Sequence, residues 1–274
     1  MKSMSRLAIP YIIWGALMIF LPMLLIVIYS ITKEGNGILS IAFTFEHYKK
    51  FFTDPDFLVI LFRSLVIAVK TTILCLIIGY PIGYYISRSK PSIQNTLVLL
   101  VTVPMWINML VRTYAWIGIL SDGGLAQQSL KLLGFDPSTL LYTEGAVILG
   151  MVYNFLPFMV LQINSALAKM DNSLLEASAD LGADNKMTFM KVTLPLSVPG
   201  ILSGISLVFL PCVSSFFIPK MLGGGKYMMI GNVIENQFIN VGEWAFGSTI
   251  AVIIALVMMI SMYAVRNLEK RQSY

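Results

Sequence analysis

Long, largely apolar runs separated by short polar segments dominate this 274-residue chain. A helix needs roughly 20 apolar residues to cross about 30 Å of hydrocarbon. Runs that reach this length cover residues 7–32, 58–87, 93–120, 145–168, 198–217 and 245–265. The pattern therefore predicts an all-α integral membrane protein with six transmembrane helices.

The composition supports a membrane protein and excludes a soluble one. Hydrophobic residues make up 57% of the chain and charged residues 12%, whereas soluble domains contain about 25% charged residues. Pro104, Pro157 and Pro211 fall inside three of the predicted spans. Neighbouring helices can satisfy the carbonyls that such prolines leave free, so three kinked transmembrane helices are expected.

The distribution of charge between the connecting segments predicts the orientation. One set of segments, which includes both termini, holds ten Lys and Arg residues, and the other holds six. Because basic residues accumulate on the cytoplasmic side, both termini and the segment 173–200 are predicted to face the cytoplasm. The pI of about 9.1 follows from this topology, so no nucleic-acid partner is required.

The longest markedly polar segment separates the fourth and fifth predicted spans. Ser173 and Glu176 have the spacing of a capping box, which predicts a short helix over about 174–181. Gly182 is a natural stop, since glycine accepts the left-handed backbone at helix ends. The segment therefore begins with a helix of about two turns that stands outside the membrane.

A second short helix is predicted directly after this stop. Asp184 or Asn185 can cap its start, and it should continue to about Val192. Pro195 is expected to end it, and Pro199 fits the first turn of the next membrane span. The two short helices with a bend between them would form one rigid cytoplasmic element.

The surface of the first short helix suggests what this element does. Ala177, Ser178 and Ala179 are small side chains that would let another surface approach closely. A solvated amphipathic connector is the simpler interpretation. A rigid, capped helix with small side chains also suits docking into the groove of a partner protein.

The residues of this segment resemble a known sequence motif. Glu176-Ala177-Ser178, Gly182, Leu194-Pro195 and Pro199-Gly200-Ile201 are similar to the EAA loop of type I ABC import permeases, with serine in place of the usual alanine. In that family the loop is the coupling helix that the ATPase subunit holds. The resemblance assigns ATPase coupling to Glu176, Ala177, Ser178, Ala179, Asp180 and Gly182.

Two further stretches, 43–48 and 79–81, are similar to segments of the same permease family. The stretches 221–226 and 230–234 resemble PotB-type permeases of spermidine/putrescine importers. The glycines at 223–225 lack the spacing of a phosphate-binding loop. The resemblance implies a first helix and external segment over 1–57, a permease core over 58–268 that contains the coupling helices at 173–192, and a cytoplasmic tail at 269–274.

The resemblance also implies partners in a bacterial plasma membrane. They are a dimer of PotA-like ATPase subunits, a PotC-like second permease, and an extracellular or periplasmic PotD-like polyamine-binding protein. ATP and magnesium would be bound by the ATPase, so the permease chain would bind no cofactor and catalyse nothing. It would form half of the translocation pore.

Aromatic and amide side chains in the third and fourth spans are candidates for a polyamine path, because cation–π contacts hold an ammonium group without a full ion pair. The candidates are Trp106, Asn108, Tyr114, Trp116, Tyr153 and Asn154. Asn108, Arg112 and Trp116 have the spacing of one helix face. For each residue taken singly, ordinary helix packing or an interfacial aromatic is the simpler interpretation.

Basic residues inside predicted spans need a separate explanation. Arg112 would repel a cation, so a structural role is expected, through extension towards the outer surface or pairing with an external acid such as Asp122 or Glu235. Arg63 fits the same interpretation. Lys70 lies deeper, and the sequence explains it only as a contact with a cavity or a partner.

Other functions remain open at this level. Cys75 and Cys212 lie in apolar runs and His47 is the single histidine, which disfavours a metal site or a His-centred catalytic triad. A type I permease for another solute, such as thiamine, iron or an anion, is the main alternative. A membrane enzyme or a secondary transporter that works alone would leave the segment 173–200 without a purpose.

Overall fold

The structure is a computed structural model that describes residues 2–33, 42–135, 139–171 and 173–272, with the side chains at 2–9, 12 and 268–272 excepted. The predicted tail at 269–274 therefore lies outside the described side chains. In chain order the α-helices of these ranges are α1 (Lys2–Ser30), α2 (Glu46–Thr53), α3 (Pro55–Arg88), α4 (Pro91–Trp106), α5 (Met109–Leu120), α6 (Leu125–Leu132), α7 (Glu144–Ala168), α8 (Ser173–Asp180), α9 (Asn185–Thr188), α10 (Leu194–Ser214), α11 (Phe217–Leu222), α12 (Ile230–Asn236) and α13 (Trp244–Gln272). π-Helical turns at Phe189–Thr193 and Gln237–Val241 follow α9 and α12.

The all-α architecture is confirmed for the described ranges, where the β-pairing found is an isolated bridge between Thr32 and Phe43. Five helical segments are long and apolar enough to cross a membrane, and a bent pair of helices makes a sixth if it is counted as one span. The five are the apolar parts of α1, α3, α7 and α13, together with the continuous segment from Asn185 to Ser214. They correspond to five of the six predicted spans.

The third predicted span is broken, which corrects the expectation of one kinked helix. Helix α4 ends at Trp106, and the helical segment Met109–Leu132, which begins with α5, lies at an angle of 90° to it. Ile107 and Asn108 between them have extended backbones. The side chain of Asn108 accepts a hydrogen bond of 2.8 Å from the Leu110 N–H, so it caps a new helix inside an apolar run.

One compact unit comprises the residues up to Val59 together with Val233–Met259. An aromatic cluster of Phe51, Phe57 and Phe246 forms part of its interior. The hydroxyl of Thr249 donates to the Ser30 carbonyl at 3.0 Å and joins the end of α1 to α13. Apolar side chains of α1 are largely exposed in the isolated chain, as expected for a lipid-facing or partner-facing helix.

The second unit extends from Ile60 to Asn232 and includes the chain from Ile260 onwards. Helix α7 lies at its centre. The Met159 and Ile163 side chains of α7 pack against Gly79 and Gly83 of α3, where an added Cβ would approach them to about 3.0 Å. Small residues allow membrane helices to approach this closely, so α3 and α7 form a tightly packed pair.

Candidate functional site

The candidate coupling segment, residues 173–193, starts with α8 on the cytoplasmic side of the predicted topology. Ser173 is the first helical residue, and its N–H donates to Asp171 Oδ1 at 3.0 Å. The predicted capping box is therefore wrong, because Asp171 accepts the hydrogen bond that the Glu176 side chain was expected to accept. This hydrogen bond from the Ser173 backbone, together with one from its hydroxyl, lowers the pKa of Asp171.

The bend after α8 follows the predicted chemistry. Gly182 has a φ of +76° and closes the helix, with its N–H donating to the Ala179 carbonyl at 2.9 Å. Asp184 then caps α9 by accepting from the Met187 N–H at 2.6 Å. Both the glycine stop and the aspartate cap are confirmed.

The second short helix does not end where the sequence suggested. From Asn185 the chain remains helical to Ser214, through α9, the π-helical turn and α10. Pro195 falls in the first turn of α10 and is accommodated there. A proline inside a helix lacks the N–H that would donate to the carbonyl four residues earlier, and its ring clashes with that carbonyl. The π-helical turn just before Pro195 is wider than an α-helical turn, so it accommodates the missing hydrogen bond and the ring.

Ser178 occupies a different position from the one predicted. Ala177 and Ala179 are exposed, as expected, but Ser178 is buried. Its hydroxyl makes a hydrogen bond with the Thr188 hydroxyl, which joins α8 to the end of α9. The side chain at this position therefore stabilises the bend, and its hydroxyl gives a contact that alanine cannot make.

Exposed apolar side chains surround the bend and were not among the predicted site residues. They are Leu174, Leu181, Met187 and Met190. Leu181 at the tip is 88% exposed, beside the exposed carboxylates of Glu176 and Asp180. The four apolar residues could have been recognised in the sequence, because they stand within a polar run. Exposed apolar groups rimmed by charges are typical of a protein interaction site.

The structure brings together only some of the candidate path residues. Trp116 and Tyr153 meet edge to face with ring centroids 5.5 Å apart, and the Arg112 guanidinium lies 6.0 Å from the Tyr153 ring. Trp106 and Tyr114 are exposed and take no part in these ring contacts. Asn108 caps α5, and its carbonyl accepts a hydrogen bond from the Arg112 N–H at 3.2 Å, so Asn108, Arg112 and Trp116 follow one another at intervals of about one turn from the start of this helix.

Asn154, which follows Tyr153 in α7, is buried. Its side-chain N–H donates to the Gly150 carbonyl one turn earlier at 2.7 Å, and its Oδ1 has no hydrogen-bond partner in the described part of the chain. An apolar groove lies nearby, lined by Met109, Phe155 and Pro211. This region offers aromatic ring faces and apolar surface for the methylene groups of a solute, and it contains few charges.

The basic residues of the predicted spans have identifiable contacts. Lys70 Nζ lies 2.6 Å from a carboxylate oxygen of Glu144, the first residue of α7, which supplies the explanation that the sequence lacked. Arg63 donates to the Lys226 carbonyl at 3.2 Å instead of pairing with an acid. The Nε and Nη1 of Arg112 have no hydrogen-bond partner among the described residues, so the expected ion pair is not formed at these nitrogens.

The glycine-rich stretch at 223–225 is a turn that contacts neighbouring segments. Gly224 and Gly225 have φ values of +56° and +78°, and the Tyr142 N–H donates to the Leu222 carbonyl at 3.0 Å. The Ile230 N–H donates to the Ser64 hydroxyl at 2.8 Å. Within the stretch the Gly223 N–H donates to the Pro219 carbonyl at 2.9 Å, and the Lys226 N–H donates to the Gly223 carbonyl at 3.0 Å.

Comparisons with known proteins agree with this architecture. Spermidine/putrescine transport system permease protein PotB of Salmonella typhimurium (strain SL1344) is 37% identical over 267 residues, which cover 95% of this chain and 93% of the relative. The protein of the same name from Escherichia coli (strain K12) is 36% identical over 265 residues, covering 94% and 96% of the two chains.

Solved structures share the fold at low sequence identity. A bacterial ABC transporter that imports the acidic polysaccharide alginate matches with a TM-score of 0.77 at 16% identity, covering 98% of this chain and 96% of its own. The inward-facing MetNI methionine ABC transporter matches with a TM-score of 0.55 at 17% identity, covering 78% and 93%.

The sequence model described as "binding-protein-dependent transport system inner membrane component" matches residues 55–274. The match includes α3, the central α7 and the whole coupling segment. The family, the relatives and the membrane-capable helices together identify a multi-pass protein of the bacterial plasma membrane. The chain therefore belongs to the family of inner membrane components of binding-protein-dependent transport systems.

Proposed function

We propose that this chain is a permease subunit of an ATP-driven spermidine/putrescine importer and forms half of its translocation pore. The observation that carries the proposal is the coupling segment, a two-helix element with a capped bend that is continuous with the membrane helix α10. The polyamine substrate comes from relatives of 36–37% identity that are named as spermidine/putrescine permeases.

The exposed side chains of the coupling segment support an ATPase partner. Leu181, Met187 and Met190 offer apolar contacts, and Glu176 and Asp180 offer carboxylates. A groove in an ATPase subunit would bury these apolar groups and pair the charges at its rim. ATP and magnesium would be held by a dimer of such subunits, and this chain would bind no cofactor.

Two further partners follow from the family. Its description as binding-protein-dependent supports an external binding protein that delivers the solute. A homologous second permease would complete the pore and cover apolar side chains that are exposed in the isolated chain. On ATP binding, closure of the ATPase dimer would move the coupling segments together and open the path outwards, and hydrolysis would reset it.

Aromatic side chains support a cationic passenger. Trp106 and Tyr114 expose π faces, and each cation–π contact with an ammonium group contributes about 0.5–2 kcal/mol. The Arg112 guanidinium already lies over Tyr153. Arg112 is also the observation that favours the second candidate function, import of an anion, because a positive charge near the path would attract one.

Uptake measurements separate these functions. Cells with and without the gene are supplied with radiolabelled spermidine or putrescine, and unlabelled polyamines, thiamine, ferric iron and a series of anions are added as competitors. We expect uptake that depends on the gene and is reduced only by polyamines. Gene-dependent uptake of a radiolabelled anion, with no gene-dependent uptake of spermidine or putrescine, would favour the second candidate.

A further inference from the structure

An aromatic contact joins the coupling segment to a second membrane helix. Phe189 is the first residue of the π-helical turn. Its ring stands edge-on to Tyr80, with centroids 5.9 Å apart and an angle of 89° between planes, and edge-on to Tyr84 at 5.8 Å and 87°. The two tyrosines are one helical turn apart on α3, so the phenylalanine is held between them.

A hydrogen bond strengthens this contact from the other side of the π turn. The Tyr80 hydroxyl lies 3.0 Å from the Ser197 hydroxyl of α10. Ser197 is fully buried and donates to the Leu194 carbonyl at 2.8 Å. Helix α3 therefore contacts both the first residue of the π-helical turn, Phe189, and Ser197 beyond the turn.

Helix α3 also contacts the centre of the second unit. Gly83 packs so closely on α7 that an added Cβ would lie 3.0 Å from Ile163 and 3.1 Å from the Val160 carbonyl. Close-packed helices transmit displacement instead of absorbing it. A displacement of α3 at Tyr80 and Tyr84 would consequently reach α7.

We propose that Phe189 is a positioning residue that passes movement of the coupling segment to α3, in addition to the main-chain route into α10. This inference rests on the proposed function, in which an ATPase moves residues 173–193. π-Helical turns occur often at functional sites. The aromatic contact attaches α3 to the coupling segment at the first residue of such a turn.

The contact of Phe189 with Tyr80 and Tyr84 is called the joint below. Substitution of Phe189 in the assembled transporter tests it. Phe189→Ala removes both ring contacts, Phe189→Leu keeps apolar volume without a ring, and Phe189→Tyr keeps the ring. In proteoliposomes we expect the first two to lower spermidine uptake per ATP hydrolysed by about fivefold and Phe189→Tyr to restore it. Phe52→Ala, which removes an edge-to-face contact with Phe51 in the external segment, is the matched control and should have no effect.

A distance measurement separates transmission from ordinary packing. Spin labels at Lys90→Cys, just after α3, and Lys186→Cys in α9 report on the two sides of the joint. In the wild-type background we expect the distance between the two labels to be the same with and without ATP and vanadate. In Phe189→Leu we expect this distance to change with nucleotide. A wild-type distance that already changes with nucleotide as much as in Phe189→Leu overturns the joint.

The two levels of the hypothesis fail differently. If the unsubstituted chain neither copurifies with an ATPase nor couples its hydrolysis to uptake, the proposed function is wrong. If the unsubstituted chain couples normally and Phe189→Ala and Phe189→Leu both couple equally well, only the joint is wrong.

Discussion

The coupling segment and the broken span α4–α5 are both helix–break–helix elements, yet they could be read from the sequence to very different degrees. In the coupling segment the break is made by Gly182 at positive φ, and Asp184 caps the next helix. In the broken span Ile107 and Asn108 are extended, and Asn108 caps the next helix. The capping chemistry is the same in both. Such caps can be recognised in a polar segment of the sequence, but they are hard to recognise within an apolar segment.

The two elements also expose different side chains in the isolated chain. The coupling segment presents Leu181 and Met190 among charges, whereas the broken span presents Trp106 and Tyr114 among apolar residues. The first set suits the surface of a soluble partner. The second set suits a solute path within the membrane or a contact with a second permease subunit. The following substitutions test whether this division of roles holds.

The largest effect is expected at the bend of the coupling segment. Gly182 has positive φ, and a Cβ there would meet nothing within 4 Å. Gly182→Trp would place a strained, bulky residue on the docking surface without disturbing the membrane core. We expect at least about a tenfold loss of uptake with ATP hydrolysis retained, measured in proteoliposomes. Glu176→Lys, which reverses an exposed charge on the same surface, should act in the same direction.

Gly134 provides a matched control for this substitution. It also has positive φ, at +84°, with nothing within 4 Å, and it lies after α6, on the external side of the predicted topology. Gly134→Trp carries the same strain and bulk and should leave coupling unchanged. Normal uptake by both Gly182→Trp and Glu176→Lys would remove the coupling role from residues 173–193.

The sequence was informative where local rules decide the structure. The glycine stop at Gly182, the cap at Asp184 and most of the span positions follow from residue type and spacing alone. The contacts of Asp171, Ser178 and Lys70 can be recognised only in the folded structure. Asp171 replaced a predicted cap, and the partners of Ser178 and Lys70 are Thr188, ten residues away, and Glu144, 74 residues away. No local pattern identifies such pairs.

An intermediate effect is expected from the aromatic residues of the broken span and its neighbour. Trp106→Ala removes an exposed π face, and Tyr153→Ala removes the ring that contacts both Trp116 and Arg112. Loss of one cation–π contact should raise the apparent KM for spermidine by about fivefold, with assembly of the complex unchanged. Initial uptake rates over a range of spermidine concentrations measure this.

Conservative replacements make the second test specific. Trp106→Phe and Tyr153→Phe keep a π face and should retain most of the affinity. Unaltered KM in both alanine variants would remove these residues from the path and leave ordinary helix packing as the role of Tyr153.

The smallest effect is expected at Ser178, where the hydroxyl bond to Thr188 stabilises the bend. One hydrogen bond contributes about 0.5–1.5 kcal/mol, so Ser178→Ala should change uptake by about twofold or less while making the purified complex lose activity faster on warming. Thr188→Val removes the other hydroxyl. If the contact is direct, Ser178→Ala combined with Thr188→Val will lose no more thermal stability than the larger single loss. Full additivity of the two losses would show that the hydroxyls act separately, and the bend would then depend on Gly182 and Asp184 alone.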